Sequence, residues 1–320
     1  MKKIFLATTA VAALGVAGAA NAAEWTVGTS GYFQIGLGFS DNAEGMGVLR
    51  DGEVHFKAKL VADNGLTFDG RVELESTTSS DQIDENWARV SGSFGSIKIG
   101  GDDSAKGAYN NGVIYAPGAR VGYYDAFNIV VGGAQAGVAG NSDAVGIHYD
   151  SPSFMGFKVG ASYQPDLGAD GASDTGVVSF GFDNGPGTSD AVYSIGAAYD
   201  GSFGDFGLGL SAAYQDGDDF GSDAWHVAGN VSFSGFKIAG GYEDDGSDEF
   251  YIGASYSTGP WTIAGGYSND DVVGDNNEAY AAWVSYKLAP GVSATVGLEG
   301  NDNAAVNSDI AGLAYLQMNF

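Results

Sequence analysis

Residues 53–75, EVHFKAKLVADNGLTFDGRVELE, decide the fold class. Val54, Phe56, Ala58, Leu60 and Ala62 alternate with Glu53, His55, Lys57 and Lys59. After Asp63-Asn64-Gly65 the pattern resumes, with Leu66, Phe68, Val72 and Leu74 set against Thr67, Asp69, Arg71, Glu73 and Glu75. Side chains on a strand project to opposite faces with a period of two, so each half is a strand with one apolar and one charged face. Asn-Gly between the halves supplies the positive φ of a two-residue hairpin turn.

The same alternation spreads over the rest of the chain. It is present in Trp25–Phe39 and recurs around 86–94, 144–150, 156–164, 189–200, 205–215, 224–233, 236–243, 249–257, 260–268, 279–287, 291–300 and 308–320. Connections come in two alternating sets. One is short, as at Asp63-Asn64-Gly65, Ser234-Gly235 and Ala289-Pro290; the other is longer and acidic, with Asp216, Asp218, Asp219, then Asp244, Asp245, then Asp270, Asp271, Asp275, and Asp302. Counting segments between turns predicts sixteen strands, the fifth of them short. An even antiparallel count with short turns at one end and long loops at the other is the pattern of an outer-membrane β-barrel.

A soluble sandwich, lectin or propeller also alternates, with its apolar face turned into a packed core. Two features favour the membrane version. Charged residues such as Lys57, Lys59, Arg71, Glu73 and Arg89 sit in the middle of strands, and aromatics gather near strand ends, as at Trp25, Phe39, Tyr163, Tyr199, Trp261 and Tyr286. An interfacial girdle requires that distribution. The expected fold is all-β, a transmembrane antiparallel barrel of sixteen strands.

Composition narrows the class further. With 40 acidic against 13 basic residues and a pI near 4.1, nucleic acid is excluded as a partner. Hydrophobic residues at 44% and aromatics at 12% exclude a disordered acidic chain. Lys2 and Lys3, the apolar run Ile4–Gly18 and Ala20-Asn21-Ala22 read as a secretory signal peptide over residues 1–22, leaving 23–320 as the barrel domain. Removing those two lysines takes the formal charge from −27 to −29. The absence of cysteine argues against a small disulfide-stapled secreted fold. No later stretch reaches 18 consecutive apolar residues, which excludes inner-membrane helices.

Two regions resemble a known family. Residues 50–104, with RDGEVHFKAKLVADNGLTFDGRVELES and ENWARVSGSFGSIKIGGDDS, resemble the second to fifth strands of general bacterial porins of the alphaproteobacterial type. Tyr286–Phe320, including Asn307-Ser308-Asp309 and the terminal Phe320, resembles the last two strands. The resemblance implies a general diffusion porin of the Gram-negative outer membrane, passing small hydrophilic solutes and ions. It also implies a homotrimer surrounded by outer-membrane lipid and lipopolysaccharide, and a third loop folded into the lumen as a constriction. The matching segment is residues 102–142. Its Tyr109, Ile114, Tyr115, Val121, Tyr123 and Phe127 are too apolar for a solvated surface loop, which fits packing against an inner wall.

The candidate site residues follow from the alternation. Lys57, Lys59, Arg71, Arg89 and Lys98 fall on the lumen faces of adjacent strands, and a concentration of like charge in so acidic a chain calls for a field-producing role. Cross-strand pairing with Asp69, Glu73 and Glu75 is the competing reading. The functional reading sets this basic wall against Asp102, Asp103 and Asp125 of the third loop. Asp216, Asp218 and Asp219 offer oxygen ligands for a structural Ca²⁺, but lack the spacing of an EF-hand loop, and simple solvation competes with that role. No other cofactor is expected. Small residues at Gly196–Ala198 and Ala281–Ala282 are read as outward positions permitting close packing between barrels. Scattered His55, His148 and His226 and the lack of G-x-S-x-G give an enzyme little support. A substrate-specific channel is the nearest rival to the diffusion porin, and a surface adhesin or purely structural barrel is a more distant one.

Overall fold

The computed structural model describes residues 24–40, 45–76, 82–112, 114–116, 119–121, 144–165, 191–217, 223–272, 275–303 and 309–320. The expected signal peptide and most of the expected constriction segment lie outside them. Five strands open the chain: β1 (Thr26–Ser40), β2 (Gly47–Val61), β3 (Thr67–Glu75), β4 (Ile83–Gly92) and β5 (Gly95–Gly101). One helical turn, α1 (Ala105–Ala108), and a small hairpin, β6 (Ile114–Ala116) and β7 (Ala119–Val121), follow. The rest is β8 (Val145–Asp150), β9 (Phe157–Gln164), β10 (Val192–Phe203), β11 (Phe206–Gly217), β12 (Ala224–Phe233), β13 (Phe236–Asp244), β14 (Asp248–Thr258), β15 (Trp261–Val272), β16 (Asp275–Ala289), β17 (Val292–Asn303) and β18 (Asp309–Asn319).

All strands except β6 and β7 form one closed antiparallel barrel of sixteen, each paired with its neighbours and β1 closing on β18. Closure leaves no edge strand, so every ladder has a partner on both sides. Phe320 completes the seam: its amide and carbonyl exchange hydrogen bonds with Gly31 at 3.1 and 3.0 Å, and its ring lies 5.6 Å from that of Phe33.

The faces are inverted relative to a soluble protein. Ile195, Ile238, Ile252, Val296 and Leu298 are exposed outward, whereas Gln164, Gln215, His226 and Glu243 are buried inward. Such an outer surface is stable against hydrocarbon rather than water. Ring pairs bridge adjacent strands in two outward rows. Near the short turns lie Phe157–Tyr199, Phe206–Phe233, Phe236–Tyr256 and Trp261–Tyr286, with centroids 4.3 to 4.7 Å apart. Toward the long loops lie Tyr163–Tyr193, Trp225–Tyr242 and Phe250–Tyr267, at 4.7 to 5.7 Å. The rows stand six to eight residues apart, about 20 to 27 Å along strands rising about 3.3 Å per residue, and bracket an apolar band.

The alternation also corrects one expectation. Ala197 and Ala282 are exposed outward, but Gly196 and Ala281 face inward, since consecutive residues of a regular strand point to opposite faces.

Candidate functional site: the lumen

The segment after β5 enters the barrel and is fastened to the inner wall of β9–β14. Ser104 caps α1, its Oγ accepting from Gly107 N at 3.3 Å. The amides of Ala105, Lys106 and Asn111 donate to Ser162, Ser194 and Ser211 Oγ at 2.9, 3.3 and 2.8 Å. His226 Nε2 donates to Tyr109 O at 2.8 Å, Asn230 Nδ2 to Asn111 O at 2.7 Å, and Tyr251 OH to Asn110 Oδ1 at 2.9 Å. At the centre Lys106, fully buried, forms an ion pair with Glu243. Small residues make room for the loop: a Cβ on Gly160 would stand 2.5 Å from the Tyr109 ring, and one on Gly196 2.6 Å. Tyr109 OH donates to Asp150 at 2.7 Å; burial first, then this carboxylate, push its phenol upward, so it stays protonated and donating. Further along, β6 and β7 lie against β13–β15.

The opposite wall carries the charge. Register aligns Lys59 with Asp69, Asp69 with Arg89, Arg89 with Lys98 and Lys98 with His148, while Lys57 faces Arg71 and Arg71 faces Trp87. Lys57, Lys59, Arg71, Arg89 and Lys98 are thus brought together on one inner surface, but three of them have carboxylate partners. Arg89 Nε donates to Asp69 at 3.0 Å, Arg71 pairs with Glu73 and reaches Glu85 at 3.6 Å, and Lys98 pairs with Asp102. Among the described residues Lys57 and Lys59 have no ion-pair partner. Asp102 therefore stands beside Lys98, with Asp103 next to it, its amide bound to Asp102 Oδ1 at 2.8 Å. Asp125 lies outside the described residues, as do Asp218 and Asp219; Asp216 is exposed at the loop end of β11.

Sequence reasoning missed several residues of this wall. Trp87 lies beneath two cations, 5.1 Å from Arg89 Cζ and 5.7 Å from Lys98 Nζ. Above the bases, toward the loops, a carboxylate belt runs through Asp51, Glu53, Glu73, Glu75, Asp84 and Glu85. His55 Nε2 sits 2.7 Å from Glu53 and 3.2 Å from Glu73, and the ligand atoms of Glu53, His55 and Glu73, and of Glu53, Glu75 and Asp84, lie within 4.8 Å of one another. Across the lumen Glu243, Glu249 and Glu299 continue the acidic level, and Lys158, Lys237 and Lys287 the basic one. The alternation held this signal for all of these except Asp84. That residue reaches inward only through the register irregularity opposite Val72 and Leu74.

A family model described as Gram-negative porin matches residues 7–305. No curated protein sequence matches. Among solved structures, a refined porin is 20% identical, with 92% of this chain and 100% of that one covered and a TM-score of 0.66. An anion-selective porin from Comamonas acidovorans is 14% identical, covering 93% and 100% with a TM-score of 0.68. A five-substitution mutant of the Rh. blastica porin is 17% identical, covering 92% and 100% with a TM-score of 0.63. At these identities the structures speak for the barrel alone.

Proposed function

We infer the working of the pore from one premise: the chain belongs to the Gram-negative porin family. It is a multi-pass β-barrel of the bacterial outer membrane and forms a diffusion channel there. On that premise we propose that passage is unspecific and passive, for small hydrophilic solutes and ions, through a lumen narrowed by the segment that begins at Asp102. The observation that carries this reading is the inner wall itself. It is dense in mixed charge, the ring pairs bridging adjacent strands face outward, and the inward rings are covered, Trp87 by cations and Tyr251, Trp283 and Tyr315 by the side chains packed around them. A saturable aromatic track of the kind that binds sugars would need rings exposed along the lumen. Two of the three histidines are taken up in structural contacts, His226 anchoring the loop and His55 held between carboxylates, which supports transport rather than catalysis. Flux of a neutral pentose or hexose into proteoliposomes should rise linearly with its concentration; saturation, with competition by a second sugar, would favour a substrate-specific channel.

We further propose that three barrels associate, with lipid and lipopolysaccharide around them. Outward Ala197 and Ala282 and the apolar hollow between Leu37, Phe39, Ile263, Val284 and Leu298 support contact with another barrel. Exposed Arg50, near the loop end of β2, is placed for lipopolysaccharide phosphates. Cross-linking in mild detergent should give a three-chain species, and monomer alone would refute the assembly.

A further inference from the structure

The fixed charge of the lumen is sorted along the barrel axis. Lys57, Lys59, Arg71, Arg89 and Lys98 all lie within four residues of the strand end that enters a short turn, and so do Lys158, Lys237 and Lys287. The carboxylates of the belt and of β13, β14 and β17 lie six or more residues from that end. Asp69, Asp150 and Asp200 are the inward strand acids of the turn half among the described residues, the first two in ion pairs with Arg89 and Lys158, and Asp102 of the inner loop meets Lys98, so eight cations there face four acids. The turn half is thus net positive and the loop half net negative.

We propose that this order makes the channel rectify, conducting better when the loop side is electrically positive. The proposal rests on the channel being an open aqueous pore. Negative walls enrich cations in the loop half, and positive walls enrich anions in the turn half. With the loop side positive, cations are driven inward from the half where they are abundant and anions outward from theirs, so both accumulate where the halves meet and conductance rises. The opposite voltage drains both carriers from that junction and conductance falls. At about 0.1 M salt the screening length of about 10 Å is comparable with a pore radius, so the walls act on most of the lumen. Near 1 M, at about 3 Å, they act only on the nearest ions.

The test is single-channel recording in symmetric KCl at equal voltages of both signs. Orientation is marked by biotin on the single cysteine of Asp205→Cys, a turn-side residue exposed in the structure, with streptavidin acting only from the chamber that the turns face. The current with the loop side positive should exceed the reverse by roughly 1.5-fold at about 0.1 M and approach equality at about 1 M. Lys57→Gln, Lys59→Gln and Lys287→Gln together remove turn-half charge without orphaning a described carboxylate and should flatten the asymmetry. Equal currents at low salt, the opposite sign, or an asymmetry untouched by the triple substitution would overturn the proposal. Absence of current steps would instead overturn the channel on which it rests.

Discussion

Replacing Lys57 and Lys59 together by Glu should raise the cation-to-anion permeability ratio by roughly threefold or more at about 0.1 M salt. Both lysines face the lumen on β2, and neither is neutralised by a described carboxylate. A unit charge about 8 Å from a permeating ion is worth about 0.5 kcal/mol in bulk water and about 2 kcal/mol at an effective dielectric of 20. Double reversal changes the local charge by four units, so screening must remove most of the effect before it falls below thermal energy. The wild-type pore should itself be weakly cation-selective, because the acidic level faces the loop mouth and the free lysines temper it. Arg71 is better left in place, since its loss would strand the buried Glu73 beside it. Reversal potentials in a salt gradient read the ratio. If they do not move, Lys57 and Lys59 are remote from the path of ions.

Lys106→Met should release the inner loop while leaving the barrel intact. Lys106 and Glu243 are 0% and 1% exposed, so removing the ammonium leaves a buried carboxylate without its counter-charge, a loss of about 3–5 kcal/mol. Relief comes by displacing α1 and admitting water, whereas the sixteen-strand ladder does not depend on the pair. The expected result is a larger and noisier single-channel conductance, with the barrel still running as a heat-modifiable folded band on gels. Lys106→Met combined with Glu243→Leu should restore quieter conduction, because no orphan charge then remains. Wild-type conductance in the single variant would mean that the ion pair does not hold the constriction.

The barrel was legible in the sequence because its signal is local and repeated. Val54 to Leu60 and Leu66 to Leu74 state their faces within a few residues, and Asn64-Gly65 states the turn. The lumen was legible only in part. Alternation places Lys57 and Glu53 on the same face, but weighing the acids only as pairing partners of the cations concealed that most of them occupy the other half of the same strands. Distance from the turn, also readable, carries that order. Lys106 and Glu243 stand 137 residues apart, and nothing near either position marks them as partners. The β6–β7 hairpin carries its own signal in Pro117-Gly118, which attention to the apolar content of the segment passed over, whereas the pairing of Lys98 with Asp102 depends on where the inner loop folds.

Whether the lumen is an open water-filled channel is read from the swelling of liposomes containing the purified protein in isotonic solutions of neutral sugars of increasing size. Rapid swelling with pentoses and hexoses, falling steeply through di- and trisaccharides, is the predicted result. Protein-containing liposomes that swell no faster than empty ones, with the barrel folded and inserted, would contradict it.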